Sequence, residues 1–501
     1  MRQFLHIYLW GKEIGQLEWK TRTGRSVFSY NPAYLSEVGI SPAPLVAPID
    51  KDALFRSFVS EEERIYQHLP SFLADSLPDD WGNTLFEQWR IDQHLSPTEV
   101  TPLDKLAFIG KRGMGALEFV PDAQLSPKAE EVDVAALAHL AHRIFLEREE
   151  VTIDPSETLT KKLLLAVGTS AGGRQPKAII AIHRETGAIR SGQVAVLEGY
   201  DYYILKFGDK ERSSAELEQT YYQMAIKAGI DMMPSRLMEA DGEKHFLTQR
   251  FDRPGGEKLH MQTLAAMDPE ANTYEQLLLV CRKLQLQESD TAEVFRRMVF
   301  NYLANNTDDH HKNFSFLMNK KGEWSLAPAY DMTYIFNRGG YQPESEHCML
   351  MRGKYTEWTK DDVMQFAIDN GIANYEKIIR KAVDAVTRFR ELAERNGVRQ
   401  EWIGRVENTI QTHLREWGFN AEHQEQVWTT ADGRQATGVY LEQAYKGNYH
   451  LFAHIDGKQR KFVIRKGTPE YELIEQVGLQ QISSEQLQEL LEERYVADTD
   501  R

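Results

Sequence analysis

Cys281 and Cys348 are the only cysteines in 501 residues, so neither a disulfide framework nor a cysteine-rich zinc site holds this chain together. Each is expected to be a small, buried or half-buried apolar residue. No stretch approaches the ~18 consecutive apolar residues that a membrane-spanning helix needs. The opening MRQFLHIYLWGKEIGQLEW carries only a short apolar run. That run contains a histidine, is followed by Gly11, Lys12 and Glu13, and lacks a small-residue cleavage pattern, so it reads as strand and turn rather than signal peptide. The cytoplasm is therefore the expected location, with no membrane partner. Positive charge is also scarce: 59 Lys and Arg stand against 75 Asp and Glu, a formal net charge of −16. That balance argues against coating nucleic acid through an overall field, and leaves room for a local basic patch or for DNA contact through a partner. There is no H-E-x-x-H or C-x-x-C metal motif, and no G-K-[ST] that would end a Walker A loop.

What is present is ordinary globular composition, 42% hydrophobic and 27% charged, in a length that suggests about three domains. FLHIYLW and IGQLEW flank Gly11 as a hairpin, and Ser26–Tyr30 continues the alternation. Pro42–Pro48 is a proline-punctuated turn region. Tyr66–His94 shifts to helical spacing, broken at Pro78-Asp79-Asp80. LDKLAFIGKRGMGALEFV reads as helix, Gly-rich turn and strand. Residues 122–131 are polar and proline-bearing, a candidate boundary, and DVAALAHLAHRIFLE has i, i+3, i+4 periodicity. A Gly-rich segment, VGTSAGGRQPK, precedes the strands AIIAIH and YDYYILKF. SSAELEQTYYQMAIKAGI is an amphipathic helix with a serine cap, and SRLMEADGEKHFLTQRF is a hairpin turning at Asp241-Gly242. Helical patterns dominate from Thr273 to about Gly418, interrupted by Asn305–Asn313 and Pro328–Glu344. Beyond Gly418, VWTT, GVYLEQAY, HLFAHI and KFVIRK suggest a small sheet, and a final helix is expected over Ser484–Tyr495.

The densest polar cluster is NNTDDHHKN, residues 305–313. Asp308 and Asn313 have the D-x-x-x-x-N spacing of a protein-kinase catalytic loop. In that chemistry the aspartate accepts the substrate hydroxyl proton, and the asparagine amide oxygen holds Mg²⁺, a hard cation that takes oxygen ligands. A second carboxylate must reach the metal from nearby, and Asp331 in LAPAYDMT fits. Lys312 puts a cation inside the loop. An Asx-rich turn after a helix explains any one of these residues equally well. A rival reading makes Asp308, Asp309, His310 and His311 a metal-hydrolase site, but consecutive side chains diverge in helix and strand.

Three further elements stand upstream. In Ser170-Ala171-Gly172-Gly173-Arg174-Gln175-Pro176-Lys177, the glycines let backbone N–H groups approach phosphate oxygens, although an ordinary turn has the same composition. Lys206 sits inside a hydrophobic strand, where an unpaired charge is costly. It reads either as a grip on the α- and β-phosphates of ATP, paired with Glu218, or as an edge lysine facing water. FLTQRFDRP offers the backbone from Gln249 to Phe251 to an adenine ring, or else a turn built from Arg250, Asp252 and Arg253. Each signal is weak alone. Their order is that of a kinase fold: Gly-rich loop, strand lysine, helix glutamate, connector, helical lobe, D-x-x-x-x-N, second aspartate.

GKRGMGALEFVPD, SAGGRQPKA, YILKF, QRFDR, and above all NTDDHHKNFSF followed by LAPAYD, resemble the HipA-like serine/threonine kinases, the toxins of bacterial toxin–antitoxin pairs. The resemblance covers roughly residues 1–418. It implies an α+β, two-lobed kinase-like fold: a β-rich region over 1–125, an ATP-binding lobe over 126–255, and an all-helical catalytic lobe over 256–418. A small α+β extension over 419–501 lies outside the family core. By the same resemblance Asp308 is the catalytic aspartate, and Asn313 and Asp331 are the Mg²⁺ ligands. Lys206 grips ATP, Gln249–Phe251 is the adenine hinge, and Ser170 is a site of autophosphorylation that switches the enzyme off. The implied partners are a helix-turn-helix antitoxin of HipB type, operator DNA through it, and a protein substrate such as an aminoacyl-tRNA synthetase. Two other functions remain open from sequence, a catalytically silent kinase-fold corepressor and a small-molecule phosphotransferase. Asp331 is followed by Met-Thr rather than Phe-Gly, so conventional activation-loop logic does not carry over.

Overall fold

Alternating apolar residues at the start of the chain form an antiparallel meander. Strands β1 (Phe4–Leu9), β2 (Lys12–Lys20) and β3 (Arg25–Tyr30) turn Leu5, Ile7, Leu9, Leu17 and Phe28 inward. The computed structural model describes residues 2–58, 66–123, 125, 132–147, 155–168, 175–193, 198–335 and 345–419. In the tail it describes 428–430, 434–443, 448–455, 458–477, 486 and 488–491. Helices α1 (Pro32–Glu37), α2 (Ser71–Ala74), α3 (Asp80–Asp92) and α4 (Pro102–Ile109) separate β3 from β4 (Leu117–Val120). β4 pairs with β1, giving the order β3-β2-β1-β4.

Helices α5 (Val134–Glu147) and α6 (Thr158–Val167) lead to a five-stranded sheet of order β6-β5-β7-β9-β8. Its strands are β5 (Lys177–His183), β6 (Ile189–Ser191), β7 (Tyr200–Lys206), β8 (Ser235–Ala240) and β9 (Glu243–Gln249), with α7 (Ser214–Ala228) between β7 and β8. The β8–β9 turn places Asp241 (φ 49°) and Gly242 (φ 71°) in the left-handed region, the pair of angles a two-residue hairpin turn requires.

The remainder of this unit comprises β10 (His260–Thr263), α8 (Leu264–Met267), α9 (Tyr274–Lys283), α10 (Glu288–Leu303), β11 (Ser315–Met318), β12 (Trp324–Leu326), α11 (Lys360–Asp369), α12 (Tyr375–Val386), α13 (Phe389–Asn396) and α14 (Gln400–Glu416). The α+β class and the β-rich start hold, but the region from 256 to 418 is not helical throughout. β10, β11 and β12 form a three-stranded antiparallel sheet. The β11–β12 hairpin reverses the chain, which brings residues after 326 back toward the polar loop that precedes β11. All four β11 residues are buried, so no alternation marked the strand in sequence.

A second correction concerns α7. Ser213 does occupy the N-cap position, but in a left-handed conformation (φ 49°) with no capping side-chain bond. Its hydroxyl instead accepts from the Arg399 amide at 3.2 Å.

The chain divides into two compact units, Met1–Trp417 and Gly418–Arg501. In the second, β13 (Trp428–Thr429), β14 (Gln435–Gln443), β15 (Tyr449–Ile455) and β16 (Lys458–Ile464) form an antiparallel sheet in that order, followed by α15 (Pro469–Val477), a helix the sequence reading did not anticipate. Leu451, Ala453, Ile455, Phe462, Ile464 and Ile474 form its core. Of the helix expected over Ser484–Tyr495, only residues 486 and 488–491 are described, and they are helical.

One charged cluster is fully buried in the first unit. Asp252 accepts from Arg250 Nε and Nη2 at 2.9 Å each, from Arg253 Nη1 at 2.6 Å and from the Gly115 amide at 2.7 Å. The salt-bridged turn considered from sequence therefore exists. Burial by itself would raise the Asp252 pKa, but the two guanidinium groups overcome it and hold the carboxyl at about 2. A carboxylate with a depressed folded pKa contributes stability that is complete above its unfolded value near 4 and is lost as pH falls through about 2, here roughly 2 kcal/mol. Asp252→Asn leaves two buried arginines without their counter-ion and is expected to cost about 3–5 kcal/mol. Urea unfolding between pH 5 and pH 2 checks this: the variant should show a shallower loss of stability across that window than the wild type, and equal slopes would refute the assignment.

Candidate active site

β7 ends on Lys206, whose strand neighbours alternate between the two faces of the sheet. The side chain is 8% exposed, so its ammonium must find partners inside the protein. It finds two, donating to Glu218 Oε1 from α7 and to Asp331 Oδ1 from the segment after β12. Glu218 lies three residues before Tyr221 and seven before Ala225, on the apolar face of α7. A carboxylate there is tolerated only as half of an ion pair. Burial by itself would lower the Lys206 pKa, but Asp331 and Glu218 outweigh it and raise it. Asp331, which burial would otherwise raise, is held low by Lys206 and then by Lys177. Glu218 is raised by burial, with Lys206 opposing. Lys206 is thus a permanent cation in the site.

Asp331 is presented by a strained backbone, with φ 53°, a conformation that costs most residues energy and that aspartate tolerates better than most. Its neighbour Tyr330 packs its ring on Phe251, with centroids 5.7 Å apart. The Tyr330 hydroxyl donates to the Lys312 carbonyl at 2.7 Å and also bonds Ser315 Oγ. This ties the Asp331 segment to the polar loop and to the connector.

The loop begins where α10 stops, at Leu303, with Asn305 in the left-handed region (φ 54°). Its fixed point is Asp309, which is 1% exposed. Asp309 accepts from the Tyr274 hydroxyl at 2.6 Å and the Cys348 amide at 2.7 Å, and meets His347 Nδ1 at 2.9 Å. Asn301 Nδ2 donates to the Tyr274 hydroxyl at 3.1 Å, and Asn306 Nδ2 to Asn301 Oδ1 at 2.9 Å. With Asp309 so engaged, the rival metal cluster of Asp308, Asp309, His310 and His311 does not assemble. No group of three or more His, Cys, Asp or Glu suited to a metal occurs among the described residues. Burial lowers the His311 pKa to about 4, with His310 and Lys312 adding to the effect.

Asp308 is half-buried beside this anchor, with His310 Nε2 4.0 Å from its carboxylate. Asn313 Nδ2 donates to the Asp308 carbonyl at 2.7 Å, which turns its amide oxygen the other way as an acceptor. An asparagine oxygen and one or two carboxylates fit Mg²⁺, which takes few protein ligands and completes its shell with water and phosphate oxygens. Lys312 is exposed, and its charge acts on half-buried Asp75, whose pKa is raised by desolvation against the bonds from Thr263.

In the connector, the Gln249 amide donates to the Pro234 carbonyl at 3.1 Å and the Arg250 amide to that of Tyr202 at 2.8 Å. The Phe251 amide, half-buried, makes no such bond to any described residue. Ser170, Gly172 and Gly173 lie outside the described residues. Sequence reasoning named Lys177 only as the end of the Gly-rich segment and gave it no role of its own; it pairs with Lys206 across β5 and β7 and is 2% exposed. Sequence reasoning also missed Tyr274 and His347, which lie 35 and 38 residues from Asp309 and carry no local signal.

Residues 5–120 match the HipA N-terminal domain, and residues 169–392 match the HipA-like C-terminal domain. A Haemophilus influenzae protein, named a kinase by inference, is 26% identical over 280 residues, 49% of this chain and 79% of its own. A Sinorhizobium fredii protein named in the same way is 23% identical over 393 residues, 74% of this chain and 86% of its own. Among solved structures, the Shewanella oneidensis toxin–antitoxin complex of HipA, HipB and operator DNA is similar in fold. Its TM-score is 0.58 at 16% identity, covering 83% of this chain and 98% of that one. Among the described residues no helix is long and apolar enough to cross a membrane.

The adjacent aspartates provide the test of this geometry. Asp309→Ala should lower unfolding stability by about 3 kcal/mol, because it strips a buried network of its acceptor. Asp308→Ala, at a half-buried position, should change stability by less than about 1 kcal/mol. Urea titration of both variants decides, and the reverse ranking would sink the division of roles.

Proposed function

Because the chain belongs to the HipA-like family, we propose that it transfers the γ-phosphoryl group of ATP to a serine or threonine hydroxyl of a protein. The observation that carries this reading is the meeting of Lys206, Glu218 and Asp331, from a strand, a helix and a loop, in one cluster in which the first two are buried and Asp331 is half-buried. A strand lysine held by one carboxylate from a helix and another from a loop fits a site that binds a polyphosphate.

In this reading the Lys206 ammonium, kept protonated by its carboxylates, binds the α- and β-phosphates, and Glu218 fixes its direction. The Phe251 amide donates to the adenine ring at the connector. Asp308 accepts the proton of the attacking hydroxyl, and Asp309 keeps the loop that carries it from moving. Asn313 and Asp331 would hold Mg²⁺, whose chemistry is to neutralise charge on the phosphate oxygens. Asp331 lies on Lys206 in the present arrangement, and its carboxylate would also be the one to hold the cation.

The regulatory reading follows from charge. A phosphate on Ser170 adds nearly two negative charges beside the nucleotide's own, so self-modification there would weaken ATP binding. The growth-arresting role, a helix-turn-helix partner of HipB type with its operator DNA, and an aminoacyl-tRNA synthetase as target are proposed by likeness to the family.

The test is incubation of purified protein with Mg²⁺-ATP and a cell lysate, beside Asp308→Asn. The wild type should label protein hydroxyls and gain one phosphate on the peptide containing Ser170. Asp308→Asn should lose transfer by about a thousandfold while keeping its unfolding transition. A wild type that binds ATP and labels nothing would favour the silent corepressor, and one that labels only small molecules would favour a metabolite kinase.

A further inference from the structure

The Gly-rich hexapeptide Gly110–Gly115 has no part in the reaction just described, yet its Arg112 side chain reaches the end of α6 and its backbone the residues that follow the connector. Arg112 is 6% exposed. Its Nη1 donates to the carbonyls of Leu165 and Ala166, at 2.9 Å each, and its Nη2 to that of Phe108. Leu165 and Ala166 lie in the last turn of α6, whose carbonyls have no helical partners and carry the negative end of the helix dipole. A buried guanidinium both satisfies and neutralises them. One residue further on, the Gly113 carbonyl accepts from Arg253 Nη2 at 2.9 Å. The Gly115 amide donates to Asp252 at 2.7 Å. Arg253 and Asp252 directly follow the connector residues Gln249–Phe251.

The start of β5 is held from the same domain. Trp81 Nε1 donates to the Lys177 carbonyl at 3.0 Å, and Asp79 Oδ2 lies 3.5 Å from Lys177 Nζ. Trp81 is fully buried. Gly168, the residue that ends α6, packs so closely on Leu85 that an added Cβ would come within 2.5 Å of it. The end of α6, the start of β5 and the connector are thus each fixed by residues between 79 and 115. These residues fall inside the span that matches the HipA N-terminal domain.

We propose that this N-terminal domain is the frame of the nucleotide cleft, and that Arg112 is a positioning residue that sets nucleotide affinity through the last carbonyls of α6, with Trp81 doing the same for Lys177. The inference rests on the phosphoryl-transfer reading above. The physical ground is that phosphate-binding groups act only from fixed positions, and each position here is set by a buried polar bond rather than by loose apolar packing. Neither residue touches the reacting atoms, so binding should suffer and chemistry should not.

The experiment uses the full chain, with trinitrophenyl-ATP titration in Mg²⁺ and initial rates of self-phosphorylation against ATP concentration. Arg112→Lys keeps the charge but cannot span three carbonyls. It should raise KM for ATP and the analogue Kd about tenfold, the loss expected for one charge-assisted hydrogen bond, with kcat within about twofold. Trp81→Phe removes one neutral donor and should raise both by about threefold. Arg352→Ala, which breaks an exposed pair with Asp369, should change neither. If Arg112→Lys does not fold, the Trp81→Phe result decides. Variants that unfold more easily but bind nucleotide as tightly as the wild type show a merely structural role and overturn the proposal, as does a fall in kcat at unchanged KM. A wild type that binds no nucleotide overturns the parent reading, and this one with it. A wild type that binds while both variants bind equally well overturns this one alone.

Discussion

A buried ammonium between two carboxylates is the constraint around which the larger unit is arranged. Lys206, Glu218 and Asp331 come from β7, α7 and the segment after β12, and none of the three charges could stay in so dry a place alone. Opposite charges brought together in low dielectric recover their desolvation only when the geometry is close. The sheet, the helix and the hairpin-returned loop must therefore be in register at once. Lys177, across the strand pair from Lys206, adds a second cation to the same face.

The neighbouring aspartates show how one dipeptide divides two tasks. Asp309 is turned into the protein and spends its oxygens on Tyr274, His347 and the Cys348 amide. Asp308, one residue earlier, stays half-buried beside His310. A fixed, buried carboxylate thus stands next in the chain to a half-buried one. Tyr330 extends the same logic by joining the loop, Ser315 and the ring of Phe251.

Buried polar bonds also hold the perimeter. Asp252 binds two arginines and the Gly115 amide, and Arg112 binds the end of α6. Such groups specify a single arrangement because any alternative leaves a charge or a carbonyl unpaired in the interior. Apolar packing alone tolerates small slips far more readily.

Much of the fold was legible in the residues. The opening hairpin, the Asp241-Gly242 turn, the long helices and the strand carrying Lys206 all follow from periodicity and turn chemistry over a few neighbouring positions. Where that locality failed, the errors were local too. β11 is buried at every residue and so shows no alternation. Ser213 looks like a cap, but its hydroxyl is drawn to the Arg399 amide from a distant helix. For the candidate site, the residues alone told which groups of the right chemistry exist and in what order: a strand lysine, a helix glutamate, an Asp and an Asn with four residues between them, and a later aspartate. The folded arrangement alone shows that Lys206 lies on both Glu218 and Asp331, that Asp309 rather than Asp308 is the anchor, and that Arg112 and Trp81 reach the carbonyls of Leu165, Ala166 and Lys177. The reason is physical. Backbone preference and hydrophobic spacing act between residues a few positions apart, whereas the pairing of buried charges depends on strand register and chain reversal, which no short stretch of sequence contains.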